Sequence, residues 1–510
     1  MRKKVHMFFL SFLVLTGLTL YTRIVHLLDY PYGLNTDSAL YALSAILLER
    51  QPFYLPFIQT GYGRETLHLY WILPFFHLFG YTEWALKFSA AVVSIVTIIS
   101  LIYVSYRWFS PMVSFVSGFF LIFSRWHFLI GKLVFRVSYL PLFSIWMFHF
   151  LFLASSRKKI RYLILAGIFS GLSLLTYEAG KVIPFIGLFT IGLNHLIPAC
   201  SSRSSLKNTI FACLVFILVS IVIYSPMLFY ASNKNDWQIL LGRGSGNFVW
   251  QQNKQVDGGY QQLKKNLVTL GNFFSPIKRQ LDNPLDEGPL ISPIETTFLI
   301  AGIFSIMRRR GLWTVSILSW FLIGLLPGII SWTAAHREVV SIIPLMMIIG
   351  IGVEDIIQSV KRVLCYSFLL LGVALLLQVV YFWQTTYSPL ADTYHFHPGD
   401  TVLGYFLSNY PDAQKIYFAP LFSDTVRFIA HQQEVFVDPL FDTKKIVFNN
   451  LDELKQRELT TGALIILPVT DNFAFLAYLE QKFPKGLSFS LPCVKTKFCQ
   501  SAARIFVVSQ

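Results

Sequence analysis

Residues 61–80 read "GYGRETLHLYWILPFFHLFG", and residues 82–104 continue "TEWALKFSAAVVSIVTIISLIYV". The second stretch decides the fold class. A bilayer crossing needs about 20 mostly apolar residues, and residues 83–106 supply them without a charge beyond Glu83 and Lys87. The first stretch behaves differently. Its apolar part, 66–80, is too short for a crossing and predicts a re-entrant or interfacial helix. Arg64 and Glu65 stand directly before it, at a place where charge is costly unless it faces water, a partner or a substrate.

The whole chain follows the second stretch. Of 510 residues 54% are hydrophobic and 14% charged, and there are 48 Phe, 24 Tyr and 11 Trp. A soluble domain carries roughly 25% charge, so the expected class is a polytopic α-helical membrane protein. Candidate spans are 6–28, 83–106, 112–130, 138–155, 161–177, 182–198, 208–230, 292–308, 312–331, 338–358 and 363–385, about eleven in all. The opening MRKK and its apolar run imitate a signal peptide but lack a small-residue cleavage site, and are read as an uncleaved first span.

The formal charge of +15 does not mark a nucleic-acid binder. Basic residues cluster between spans, at Arg2 to Lys4, Arg157 to Lys159, Arg308 to Arg310 and Lys361 with Arg362. With the N-terminus cytoplasmic, each cluster falls on the cytoplasmic side, as do Arg203 and Lys207. The expected location is therefore the plasma (inner) membrane.

That orientation puts the loops 29–82 and 231–291, the short connections near 131–138, 178–181 and 332–338, and the tail 386–510 outside. Residues 38–50 predict a helix lying on the membrane, with Leu40, Leu43, Ile46 and Leu47 at helical spacing. The long loop 231–291 has the length of a functional cover. In the tail, "KIYFAP", "EVFVDP", "ALIILP" and "RIFVVS" alternate with helical patterns at 401–409 and 472–482, which predicts a small extracytoplasmic α/β domain over 386–510 beside a transmembrane domain over 1–385. Five cysteines are too few for a disulfide scaffold, although Cys493 and Cys499 are close enough in sequence to pair.

Ionisable residues gather at the outer ends of the spans: Asp37, Arg64, Glu65, Arg125, Lys132, Arg136, Glu178, Lys181, His336 and Arg337. A transporter would place such groups near the midplane. Their position suits an enzyme at the membrane surface whose substrate has a lipid tail, with cations facing a phosphate and a carboxylate facing a hydroxyl. Plainer roles are also open. Asp37, with Thr36 and Ser38, suits a helix N-cap, Arg64 an anchor at head groups, and Glu178 with Lys181 an ordinary i,i+3 pair. His395 and His397 have strand spacing without a third ligand, so no metal site is expected there. Trp71, Trp126 and Trp250 are candidates for stacking on a sugar.

"PYGLNTDSALYALSAILL" (31–48), the opening stretches, "SRWHFLIGKLVFRVSYLPLF" (124–143), "GLSLLTYEAGKVIPF" (171–185), "LDNPLDEGPLISPIETTFLIAGIF" (281–304) and "HREVVSIIPLMMIIGIG" (336–352) occur in one order. Together they resemble the GT-C glycosyltransferases, among them the bacterial relatives of protein O-mannosyltransferases and of lipid A aminoarabinose transferases. The resemblance implies transfer of a sugar from a polyprenyl-phosphate donor to an acceptor hydroxyl on the outer face, with inversion. It assigns Asp37 as base, and Arg64, Arg136, Lys181, His336 and Arg337 to the lipid phosphate, with Glu65 and Glu178 as secondary candidates. The family commonly has a second acidic residue where this chain has Ser38, which leaves divalent metal without a supporting motif. No cofactor is implied. The expected partners are the bilayer, the donor lipid, and a protein, lipid or glycan acceptor. The runner-up reading is a transporter or flippase of a lipid-linked saccharide, and a third is an envelope scaffold.

Overall fold

The computed structural model describes residues 2–509, apart from 60–62, 197–205, 242–257, 274–289, 310, 332–333, 335, 360–363, 388–397, 409–415, 419–444, 448–449, 468–472 and 493–500. The chain divides into two compact units. The first comprises Met1–Val25, Gln51–His68 and Ala90–Thr386, and the second His26–Arg50, Leu69–Ser89 and Tyr387–Gln510.

Each expected span contains helix among its described residues. Among the described residues six stretches are long and apolar enough to cross a bilayer: Glu83–Trp108, Arg136–Arg157, Leu206–Asn233, Leu312–Ile330, Val339–Ser359 and Phe368–Thr386. A seventh follows if one bent pair counts as a single crossing. That pair covers the span expected over 112–130, with a bend inside it. Pro111–Ile122 and Arg125–Lys132 meet at 56°, because Ser124 leaves the helical path and caps the second helix, its Oγ accepting from the His127 amide at 3.4 Å.

A break inside an apolar helix strands backbone carbonyls. Arg23, fully buried on the first helix, supplies the missing donors. Its Nη2 donates to Ile122 O at 3.1 Å and Leu121 O at 3.5 Å, and its Nε to Ser94 Oγ at 2.9 Å. Nη2 also reaches His127 Nδ1 at 3.3 Å, and the guanidinium lies 5.0 Å over the Phe128 ring. Arg23 is thus a brace across the bend.

Elsewhere in this unit small residues set the helix spacing. The helices Pro293–Arg309 and Ile342–Ser359 approach so closely that a Cβ on Gly302 would lie 2.0 Å from Ile348 O, and one on Gly352 2.4 Å from Phe298 O. Close backbone approach through glycine is a recurrent way for apolar helices to associate.

The second unit contains the helix Thr36–Glu49, two residues longer at its start than expected. Ala39, Ala42, Ala45, Ile46 and Leu48 are buried, whereas Leu40 and Leu43 are half-buried and Leu47 is exposed. The outward stripe at 40, 43 and 47 is the face expected to meet lipid, and Ile46 turns inward instead. A buried ion pair joins Glu83 Oε1 to Lys87 Nζ at 2.7 Å; Lys87 also donates to Pro31 O at 2.8 Å, and the Tyr405 hydroxyl to Glu83 Oε2 at 2.9 Å.

Among its described residues the tail carries five strands, β3 (Ile416–Phe418), β4 (Lys445–Val447), β5 (Leu464–Leu467), β6 (Leu487–Pro492) and β7 (Ser501–Val507), in the order β4-β3-β5-β7-β6. The first two pairings are parallel and the last two antiparallel. Alternation along β5 and β7 feeds two cores. Leu464, Ile466 and Ile505 pack with Leu403 and Leu407, and Ile465, Leu467 and Phe506 with Leu454, Leu476 and Leu479. Helices therefore cover both faces, which explains the unbroken apolar run "LIIL". The expected strand "EVFVDP" lies outside the described residues, as do Cys493 and Cys499, whose spacing allowed a pair. β4 and β6 carried no clear sequence signal.

Candidate functional site

A small hairpin opens the site in the first unit. β1 (Phe57–Ile58) pairs antiparallel with β2 (Arg64–Glu65). Gly63 enters β2 at φ +78°, and a Cβ there would lie 2.5 Å from the Phe57 ring, so glycine is required. Thr66 then fastens the hairpin, its amide donating to Pro56 O at 3.2 Å and its hydroxyl to Leu55 O. Arg64, Glu65 and His68 are buried as a result.

Arg136 reaches this hairpin from the 3₁₀ turn Arg136–Ser138. Just upstream Val134 sits in the left-handed region at φ 56°. A β-branched residue there costs on the order of 1–3 kcal/mol and persists only where its surroundings impose it, commonly at functional sites. Arg136 Nη1 donates to Glu65 Oε2 in an ion pair whose side chains are 9% and 6% exposed. The guanidinium lies 4.8 Å over the Tyr177 ring. Tyr177 in turn stands edge-on to His336, with centroids 5.9 Å apart, and the Phe135 ring lies 6.3 Å from His336.

Arg136 is the electrostatic hub. Burial lowers the Lys181 pKa while Glu65 and Glu178 pull it up, and Arg136 pushes it down. Burial, then Arg136 and Arg64, hold His68 well below the ordinary histidine value, against a backbone hydrogen bond at Glu65 that raises it. His336 is pushed down to about 3 by burial, Arg337 and Arg136. Both imidazoles are neutral at physiological pH, and His336 Nδ1 has no hydrogen-bond partner among the described residues. Arg337 Nη1 donates to Ser331 Oγ at 2.7 Å.

Arg64, Glu65, Arg136, Glu178, Lys181, His336 and Arg337 all belong to the first unit; four of these seven are cations and two are carboxylates, and the fully buried Glu338 follows Arg337 in sequence. Chemically, such a half-dry cationic cluster holds an anion and stabilises negative charge that develops on it. Asp37 belongs to the second unit, exposed in the first turn of the helix Thr36–Glu49. The cap of that helix is Asn35, whose Oδ1 accepts from the Ser38 amide at 2.8 Å, so capping does not account for Asp37. Trp71 donates to Ser89 O at 3.1 Å and Trp126 is buried, whereas Trp250 lies outside the described residues. Tyr177 and His68 were not singled out from sequence. Their only signal was a polar or aromatic residue beside a charged one inside an apolar stretch.

The fold is similar to those of two archaeal oligosaccharyltransferase structures and of ArnT. It aligns with the oligosaccharyltransferase of Archaeoglobus fulgidus in its apo form at a TM-score of 0.56 and 12% identity, covering 83% of this chain and 64% of that one. AglB from the same organism, in complex with an inhibitory peptide and a dolichol-phosphate, aligns at 0.55 and 13% identity over 84% of this chain and 64% of that chain. This chain thus spans just under two thirds of those archaeal enzymes. ArnT from Cupriavidus metallidurans bound to undecaprenyl phosphate aligns at 0.55 and 13% identity, over 97% of both chains. In sequence, residues 65–230 match the dolichyl-phosphate-mannose-protein mannosyltransferase family, and no curated protein matches. The resemblance read from the quoted motifs therefore holds in fold and across that stretch of sequence.

Proposed function

We propose that the chain is an integral-membrane glycosyltransferase that transfers a sugar from a polyprenyl-phosphate donor to an acceptor hydroxyl on the extracytoplasmic face. The observation that carries this reading is the partly buried cluster around Arg136, where Arg64, Lys181 and Arg337 could meet a phosphate, in a fold similar to that of ArnT, solved with undecaprenyl phosphate. The reading includes eleven spans over 1–385, a cytoplasmic N-terminus in the plasma membrane, and an extracytoplasmic α/β domain over 386–510.

The step is a single displacement with inversion. The acceptor oxygen forms its bond to the anomeric carbon as the bond from that carbon to the phosphate oxygen breaks, and the electron pair stays on the phosphate. The donor phosphodiester carries one negative charge and the departing monoester about two. Cations already in place therefore act more strongly on the transition state than on the donor, and this difference is what accelerates the step. Asp37 takes the acceptor proton, a contribution of about 10²–10⁴ in rate. His336, being neutral, contributes a hydrogen bond rather than charge.

The test is turnover of a polyprenyl-phosphate sugar by the purified, reconstituted chain and its Asp37→Asn variant. Loss of about 10²–10⁴ in rate with unchanged unfolding behaviour is expected. Full activity in the Asp37→Asn variant would remove the base, and transfer of intact donor lipid between leaflets without consumption would replace the enzyme by a flippase.

A further inference from the structure

Within the loop 231–291 the chain forms the helix Gly258–Phe273, whose two faces differ in exposure. On that face Asn266 and Leu270 are buried. Asn266 Nδ2 donates to Ile329 O at 2.9 Å and Ser331 O at 2.5 Å. Those carbonyls end the membrane span Leu312–Ile330. The helix is therefore tied to the place where a span leaves the apolar layer.

Its other face is solvent-exposed. Tyr260 is 75% exposed, Leu267 50% and Val268 55%, with Lys264 and Lys265 exposed among them. Positions 260, 264, 267, 268 and 271 fall on one side of a helix, so three apolar side chains and a lysine share one stripe, with Lys265 at its border. A stripe of this kind in contact with water alone has nothing to offset its apolar area. Beside a bilayer it has a partner for both components, acyl chains for the apolar groups and anionic head groups for the ammoniums.

We propose that the helix Gly258–Phe273 is a membrane-surface helix whose Tyr260, Lys264, Leu267 and Val268 face docks on anionic lipid head groups. The inference requires only that Leu312–Ile330 crosses a bilayer, and it stands apart from the sugar-transfer reading. It also has a consequence for Arg337. Ser331 gives its carbonyl to Asn266 and its hydroxyl to Arg337, so docking of the helix and placement of that arginine meet at one residue.

The experiment places a single cysteine at Leu267 (Leu267→Cys) in the full chain after its five native cysteines are replaced by serine. The cysteine carries an environment-sensitive fluorophore. The protein is reconstituted in phosphatidylcholine vesicles, with or without phosphatidylglycerol, and Thr269→Cys on the other flank serves as the reference site. Quenching by nitroxide-bearing lipid is expected at position 267, stronger with phosphatidylglycerol and weak at 269. A basic residue near an anionic surface is worth roughly a fivefold change in the docked ratio, so Lys264→Glu with Lys265→Glu should lower that ratio by about 25-fold or more. Three results would overturn the proposal. A probe that answers only to aqueous iodide would show that the face looks into water. One shielded from lipid and iodide alike would show that other protein covers it. Lipid quenching that ignores both phosphatidylglycerol and the charge reversal would remove the head-group contact.

Discussion

Replacing Glu65 by glutamine should move two properties of the protein in opposite directions. The Glu65–Arg136 pair is buried, with side chains 6% and 9% exposed, and removing one member of such a pair typically costs about 3–5 kcal/mol. Arg136 keeps its contact with Tyr177 at 4.8 Å, worth about 1–2 kcal/mol when desolvated. Stability should therefore fall by about 3 kcal/mol, at the lower end of the range. Affinity for polyprenyl phosphate should rise, because the site gains one net positive charge. At a separation on the order of 7 Å and an effective dielectric of about 20, one charge is worth about 2 kcal/mol, or roughly 30-fold in binding. Arg136→Gln should lower stability by about 3–5 kcal/mol and lower affinity as well. The double variant should be less damaged than the sum of the singles, with a coupling of about 2 kcal/mol. Unfolding by denaturing detergent in mixed micelles measures stability, and calorimetric titration with the lipid phosphate measures affinity. If Glu65→Gln lowers both quantities, the pair is a structural strut and not a restraint on a phosphate-binding arginine. Coupling below about 0.5 kcal/mol would mean that the two residues do not act on each other.

Three further outcomes are expected. His336 has a folded pKa of about 3 against an ordinary value of 6.5, so the unfolded chain takes up its proton first and stability is lost as pH falls from about 6.5 towards 3; His336→Gln should flatten that acid limb in unfolding measured against pH, and an unchanged limb would refute it. Arg23→Met should leave the carbonyls of Leu121 and Ile122 without their donor, at about 1–3 kcal/mol each, with Arg23→Lys intermediate, as read by detergent unfolding; a Met variant as stable as the parent would show that the bend needs no brace. Gly302→Val should push the helices Pro293–Arg309 and Ile342–Ser359 apart, since even a Cβ would sit 2.0 Å from Ile348 O, and should cost upwards of about 3 kcal/mol; wild-type thermal stability in that variant would show that the two helices do not pack this closely.

Much of the fold was legible because lipid imposes a coarse rule. Apolar length specifies where helices stand, and helix is found in each expected span. The break at 122–125 was not legible. "LIFSRWHFLIG" stays apolar enough to read straight through, and what permits the bend is Arg23, 98 and 99 positions away from the carbonyls it holds. The tail strand 464–467 announced itself by an unbroken run of branched residues, whereas β6, "LSFSLP", has one face only half-buried and its pattern is correspondingly weak. In the site, charge was visible and partnership was not. Arg64, Glu65, Arg136, Lys181 and His336 could each be picked out, yet nothing local says that Arg136 closes on Glu65 across 71 positions, or that two of the histidines are neutral. The capping role considered for Asp37 fell to Asn35, which stands three residues ahead of the Ser38 amide it accepts from, the spacing a cap needs.

The link from Tyr405 to Glu83 bears on how the tail can be studied. That hydroxyl supplies one of the two partners that a sequestered carboxylate has among the described residues, the other being Lys87. Cutting the chain after 386 would strip away the phenol and leave an acid in the interior half-solvated, so the truncated protein would be damaged at its heart as well as shortened. Loss of turnover in such a fragment would report a wound of surgery. Dissecting what the last 124 residues contribute calls for single-atom edits such as Tyr405→Phe, with Glu83→Gln alongside to quiet the charge.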